Sequence, residues 1–295
     1  MTPFEKLTAL LEEKAPGAYM AAEMTENSRN ECMFRPGQGA QNIYSISKSV
    51  TGCAVGILHD EGKLSDSDRV YDVIGHLFPE KFDKRWKEVS LEDVMLHRTG
   101  VSSEANIDID VMDFRKDGNT DFLKFFLSQP IVHDPGKGPF IYCDTNYYLI
   151  GRIVEEVAGK TLAEFLQERM FNPLGWIGNA WGTCPLNHTL GGTGLFVRAG
   201  DLAAYGLMLG NGGVFGGQRI LSEKWIEKAR GKKGCYGYGF TNSADGRWFM
   251  AGGMLGQGVY VFPETRRAFS VLGHDVPLEL IGKEIVPAYL EKEQL

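Results

Sequence analysis

The sequence predicts an α/β protein of the α+β kind. An antiparallel sheet is built from both chain ends and flanked by helices, with a mostly helical segment inserted between. Three observations lead there. Strand-like runs are confined to residues 18–34 and 248–272. From Leu64 to about Arg230 the texture is mostly helical with long loops. Nowhere do strands and helices alternate regularly, as a parallel doubly wound sheet would require.

Each element has a local reason. Phe4, Leu7, Leu10 and Leu11 recur at helical spacing, and Pro16-Gly17 stops that helix. Ala18 to Met24 and Asn30 to Phe34 read as strands around the polar turn TENSR. Ser45 to His59 reads as a helix with Val50, Ala54, Val55 and Leu58 on one face and Gly62 as its stop. Helix-like stretches follow at 91–97, 121–127, 145–157, 162–170, 201–209 and 222–229. Residues 248–250, 258–262 and 268–272 are aromatic or β-branched, with PETRR turning between the last pair. Residues 277–295 return to helix. The expected division is therefore a sheet domain of residues 1–62 and 231–295, a helical domain of residues 63–230, and an active site between them.

Composition narrows the function. Lys and Arg total 31 against 38 Asp and Glu, a formal charge of −7 that argues against a phosphate-binding surface. The 37 glycines are about twice the usual ~7% and predict tight loops and close backbone approaches. Five scattered cysteines without a CxxC suggest reduced thiols rather than a disulfide framework or a zinc site. Glu5, Glu12 and Glu13 stand where a signal peptide would be basic or apolar, and no run reaches the ~18 apolar residues of a spanning helix. The expectation is a cytoplasmic protein that engages neither membrane nor nucleic acid.

Several chemistries lack their motifs. There is no GxSxG and no HExxH. Gly159-Lys160-Thr161 imitates the end of a phosphate loop, but Val154 occupies the position of the required glycine. The sole Ser-x-x-Lys of the chain is Ser45-Ile46-Ser47-Lys48. At helical spacing its hydroxyl and ammonium fall on one face, with Ser45 at the helix N-terminus where developing negative charge is favoured. Serine needs an adjacent base to act as a nucleophile, and a lysine can supply one. Alone, the motif equally suits an N-capping serine followed by a solvated lysine.

The surrounding sequence is more specific. The run NIYSISKSVTGCAVGILHDEGKLSDSDRV, the segment PFIYCDTNYYLIGRIVEEVAGK, the Gly-rich stretch GGTGLFVRAGDLAAYGLMLGNGG, Leu96-His97-Arg98-Thr99-Gly100 and the strand pair AGGMLGQGVYVFPE occur in a fixed order. Together they resemble the serine β-lactamase and penicillin-binding-protein superfamily. The likeness is greatest to its class C β-lactamase, family VIII esterase and D-aminopeptidase branch, and runs from about residue 40 to 275. The resemblance implies a β-lactamase/transpeptidase-like fold. It implies Ser45 as the acylated nucleophile, Lys48 and Tyr142 sharing the proton transfers, and backbone N–H groups of Ser45 and Gln257 as the oxyanion hole.

Two departures from the family pattern bear on substrate. The third motif, normally Lys-Thr-Gly or His-x-Gly, reads Met254-Leu255-Gly256, so the cation that meets a substrate carboxylate is missing. Lys232-Lys233-Gly234 lies too early to replace it. Asp144 stands where Asn is usual, and an ionised Asp can only accept hydrogen bonds. Its charge near Lys48 favours the protonated lysine. Asp144, Met254 and Gly256 are thus the expected substrate-binding positions. His97 reads as a loop-positioning residue, and His188 and Cys143 as structural. Trp176, Trp181 and Tyr147 suit packing more than the wall of an acyl pocket.

The implied function is a serine hydrolase acting through an acyl-enzyme on a small ester, amide or peptide, in first place an esterase. The alternatives are a β-lactamase, a D-amino-acid-directed peptidase, an acyltransferase, or a non-catalytic ligand-binding relative. No metal or organic cofactor is implied, and oligomeric state is not readable.

Overall fold

The structure is a computed structural model that describes residues 1–36, 39–107 and 121–291. The chain forms two compact units. The first comprises Met1–Ile46, Met170–Ala180 and Leu195–Leu295, and the second Ser47–Arg169 and Trp181–Gly194.

The first unit is organised by a six-stranded antiparallel sheet. Its spatial order is Arg29–Met33, Ala18–Thr25, Arg267–Gly273, Gln257–Phe262, Phe249–Gly253 and Thr241–Asn242. The two chain ends meet at its centre, where Met20 pairs with Leu272 and Ala22 with Ser270. The strands Gln257–Phe262 and Arg267–Gly273 are buried along their whole length, so both faces must be covered. Alternation does the sorting. Tyr260, Phe262, Phe269 and Val271 point to one face, against Leu7, Leu10 and Leu11 of the Pro3–Lys14 helix and Ile281 and Tyr289 near the C-terminus. Val259, Ala268 and Ser270 serve the other face, which the Ala199–Gly210 helix covers. A Cβ on Gly206 would come within 2.7 Å of the Ala268 methyl, so glycine there sets how closely the helix docks.

The second unit is built around the Asp144–Ala158 helix. It packs against the helices Val70–Ile74, Leu91–Met95, Phe122–Ser128 and Leu162–Leu166. Its buried face includes Tyr147, Tyr148, Ile150, Ile153 and Val154. Gly159, at φ +68°, ends it in the left-handed conformation that glycine adopts without strain.

The expected antiparallel sheet from both chain ends is present. The units divide elsewhere than at residues 62 and 230. Residues 47–62 group with the second unit, because the helix Ile46–Asp60 is tied there by Lys48 and Thr51. Residues 195–230 group with the first, because the Ala199–Gly210 helix is buried at all twelve positions as a cover for the sheet. The C-terminal helix is two, Leu278–Glu284 and Val286–Leu290. Pro287 has no N–H to continue the first helix, so the chain restarts. Residues 292–295 of the expected helix lie outside the described residues. None of the five cysteines is in a disulfide. Among the described residues no helix is long and apolar enough to cross a membrane.

Candidate active site

In the first unit, Ser45 sits at the end of a strained approach. The short strand Gln41–Asn42 pairs with Leu195–Val197. Tyr44 then takes φ +47°, a conformation rare for a residue with a Cβ. The Tyr44 N–H donates to Asn42 Oδ1 at 2.9 Å, which fixes the turn. Ser45 follows, and helix begins at Ile46. Ser47 and Ser49 are fully buried, whereas Ser45 is partly exposed. Of these three serines, only Ser45 is open to a reagent.

The same unit brings the Met254–Gln257 turn towards this approach. Gly253 lies so near the Ile43 carbonyl that a Cβ on it would be 2.4 Å from that oxygen. Gly253 pairs with Gln257 across the turn. Within the turn Leu255 has φ +63° and Gly256 φ +83°, and a Cβ at Gly256 would collide with the Val276 carbonyl. The Gln257 side chain is buried and structural. Its Nε2 donates to the Gly273 carbonyl at 2.6 Å, and its Oε1 accepts from the Gly273 N–H at 3.0 Å. This pair locks the start of the strand to its neighbour. Met254 is 51% exposed and brings no charge to the turn.

In the second unit, Lys48 is fully buried. Its Nζ donates to Asp144 Oδ1 at 2.5 Å and to the Gly192 carbonyl at 2.9 Å. It also lies 4.9 Å from the centre of the Tyr142 ring, within cation–π range. Asp144 is the first residue of its helix, and its N–H donates to Asn106 Oδ1 at 2.7 Å. Gly192 can reach Lys48 because it passes tightly over this helix start. A Cβ on Gly192 would stand 2.8 Å from the Asp144 carbonyl, and one on Gly191 2.3 Å from that of Tyr147. The second unit thus assembles a buried ammonium, a carboxylate and a phenol that is 41% exposed.

His97 supports this group from below. Its ring stacks on Tyr142 with centroids 4.6 Å apart and planes 28° apart. Its Nδ1 accepts from the Cys143 N–H at 3.2 Å and lies 3.1 Å from Asn146 Nδ2. Burial, reinforced by the Lys48 charge, lowers the imidazole from 6.5 to about 3. It is therefore neutral, with its proton on Nε2.

A burial-raised thiol, pushed to about 11, makes Cys143 no rival nucleophile. Tyr147 is buried with its hydroxyl on the Met95 carbonyl, and Trp176 is buried and stacked on Phe171 at 4.5 Å. Both are packing residues. Trp181 donates to the Thr193 carbonyl. His188 pairs with Glu155 at 2.8 Å, in a cluster that anchors the Gly-rich loop.

The family model described as Beta-lactamase matches residues 40–284. The chain belongs to the beta-lactamase family. Among curated relatives of this chain is the 6-aminohexanoate-dimer hydrolase of Paenarthrobacter ureafaciens. It is 27% identical over a match covering 76% of this chain and 63% of that protein. The chain thus spans less than two thirds of that relative's length. A family VIII carboxylesterase shares the fold at TM-score 0.77 and 16% identity, over 97% of this chain and 95% of that one. So does a penicillin-binding protein from Bacillus halodurans, at TM-score 0.70 and 19% identity, over 91% and 95%.

Sequence reasoning named Lys48, Tyr142 and Asp144, which the second unit brings together, and Ser45, Met254, Gly256 and Gln257, which lie in the first. It missed the Gly192 carbonyl, the Asn106 cap on Asp144 and the close approach of Gly253 to Ile43. A glycine announces that backbones approach, but not which backbone. His97 was legible only as a loop residue.

The neutral imidazole has a consequence for stability. Above pH 6.5 His97 is neutral in folded and unfolded chains alike, and its contribution is complete. As pH falls from 6.5 towards about 3, the unfolded chain gains a proton that the folded chain refuses, so stability is lost. Urea midpoints of wild type and His97→Asn should diverge at pH 7 and converge towards pH 4. A constant difference across that range would contradict a neutral buried His97.

Proposed function

We propose that this hydrolase cleaves small neutral esters through an acyl-enzyme on Ser45. The observation that carries the reading is the buried Lys48–Asp144 pair beneath the Tyr142 ring. An ammonium without a task would be costly to bury, since desolvation takes several kcal/mol per ion. Held beside a phenol, it stabilises negative charge as that phenol gives up or takes a proton.

The steps follow from these roles. Tyr142, acting as its phenolate beside the Lys48 ammonium, accepts the Ser45 hydroxyl proton while Oγ attacks the carbonyl carbon of the ester. The carbonyl oxygen becomes an oxyanion and is held by the N–H groups of Ser45 and Gln257. The C–O bond to the alcohol breaks, Tyr142 returns the proton to the departing oxygen, and an acyl-serine remains. Water then attacks that ester by the same route and releases the acid and free Ser45. Lys48 stays an ammonium throughout, bonded to Asp144 and the Gly192 carbonyl. An amide is the second reading, favoured by the relative named for 6-aminohexanoate-dimer hydrolysis. It uses the same steps with an amine as leaving group.

Lys48→Ala and Tyr142→Phe should each lower kcat on p-nitrophenyl acetate by about 10²-fold, the loss typical of a positioned proton-transfer group. Because the two act as one unit, the double variant should lose much less than the product. Fully multiplicative losses would separate Lys48 from the proton relay.

Substrate charge supplies another test. A carboxylate beside the scissile bond needs a cation, and a charge-assisted hydrogen bond contributes roughly 1.5–3 kcal/mol. Met254 supplies none and Asp144 adds a negative charge. Neutral p-nitrophenyl acetate should therefore exceed a chromogenic cephalosporin in kcat/KM. Met254→Lys should move that ratio about tenfold towards the cephalosporin, equivalent to ~1.4 kcal/mol. A wild type that prefers the cephalosporin would refute the neutral-substrate assignment.

A further inference from the structure

We infer that His97 is a positioning residue for Tyr142, fixing the phenol over Lys48 by holding the chain on both sides of it. The inference rests on the catalytic reading above and extends it to a residue that makes no contact with the reacting bond.

The geometry is a bracket. On the N-terminal side of Tyr142, the His97 carbonyl accepts from the Ile141 N–H at 3.0 Å. On the C-terminal side, His97 Nδ1 accepts from the Cys143 N–H at 3.2 Å. Between these anchors the imidazole lies flat against the Tyr142 ring at 4.6 Å. Asn146, one turn into the following helix, presents its amide nitrogen 3.1 Å from the same Nδ1. That nitrogen is the donor, because Nδ1 already accepts from a backbone N–H and cannot itself donate. One buried residue therefore sets the backbone at 141 through its carbonyl and, through its ring, the backbone at 143, the ring at 142 and the start of the helix that carries Asp144.

The residue also has an uncommon backbone conformation. His97 has φ +56°, in the left-handed region that disfavours side chains other than Asn, Asp and His. Such a conformation persists where its surroundings impose it. Phe140, half exposed, closes the arrangement edge-on, with its ring centroid 5.3 Å from that of the imidazole. The stack also needs a neutral ring. An imidazolium would carry a hydrogen on Nδ1 that collides with two donors, and its charge would face the buried Lys48. Burial and that same Lys48 charge keep it neutral.

His97→Asn separates these functions. Asparagine tolerates the left-handed backbone, and its Oδ1 can replace Nδ1 as acceptor, but the ring is gone. The protein should fold. Its kcat on p-nitrophenyl acetate should fall about tenfold with KM within about twofold, the signature of a misplaced group rather than weakened binding. The decisive arm repeats the substitution in the Tyr142→Phe background, where it should cost less than about twofold because the hydroxyl it positions is absent. Should His97→Asn not fold, Phe140→Ala enters the same cycle, with an expected loss of about threefold that vanishes beside Tyr142→Phe. Equal losses in both backgrounds, or an unchanged kcat in the His97→Asn enzyme, would overturn the positioning role. A Tyr142→Phe enzyme with wild-type kcat would instead overturn the catalytic reading itself, and the inference with it.

Discussion

The arrangement of the second unit depends on satisfying one buried ammonium. Lys48 reaches no water, so its charge must be met by protein groups. Asp144 meets it from the start of one helix and Gly192 from a Gly-rich loop. Each partner imposes a further demand. Asp144 must be the first residue of its helix, where Asn106 and the Ile107–Thr145 hydrogen bond hold the turn. Gly192 must lie against that turn, so the loop tolerates no side chain at 191 or 192. The loop is fastened in turn by Glu155, whose carboxylate accepts from the N–H groups of Leu162 and Thr189 and pairs with Arg152 and His188. Removing one partner of a buried pair typically costs about 3–5 kcal/mol, because the remaining charge is left uncompensated. The pair is thus a constraint on everything around it.

In the first unit the candidate residues lie beside strained backbone. Tyr44, just before Ser45, and Leu255, just before Gly256, both take positive φ. Their sheet neighbours hold them there: Gly253 sits tightly on the Ile43 carbonyl, and Gln257 grips Gly273 with both atoms of its amide. In the second unit His97 adds a third strained position, beside Tyr142. Strain of this kind clusters where geometry matters more than local stability.

Much of this was legible in the sequence, and for stateable reasons. The strands at both chain ends and the helix after Ser45 showed because period-two and period-3.6 patterns are written locally. Ser45, Lys48 and Tyr142 stood out by the order of their motifs, and Asp144 and Met254 by their departure from it. The domain boundaries did not show. A helix buried on every side, such as Ala199–Gly210, carries no stripe to say which unit it covers. The role of the Gly192 carbonyl was invisible because a backbone acceptor has no residue type. The bracket around Tyr142 was hidden for a similar reason: both hydrogen bonds that flank it come from main-chain N–H groups, those of Ile141 and Cys143, placed only by the fold. The break at Ile285 was signalled by Pro287, which has no N–H to carry the helix on.

The proposed chemistry turns on acylation of Ser45. The decisive measurement treats the intact protein with a fluorophosphonate and maps the adduct by peptide mass. A single adduct on Ser45 is expected, and none in Ser45→Ala. An adduct on Ser47, Ser49 or Cys143, or equal labelling of the Ser45→Ala protein, would contradict it.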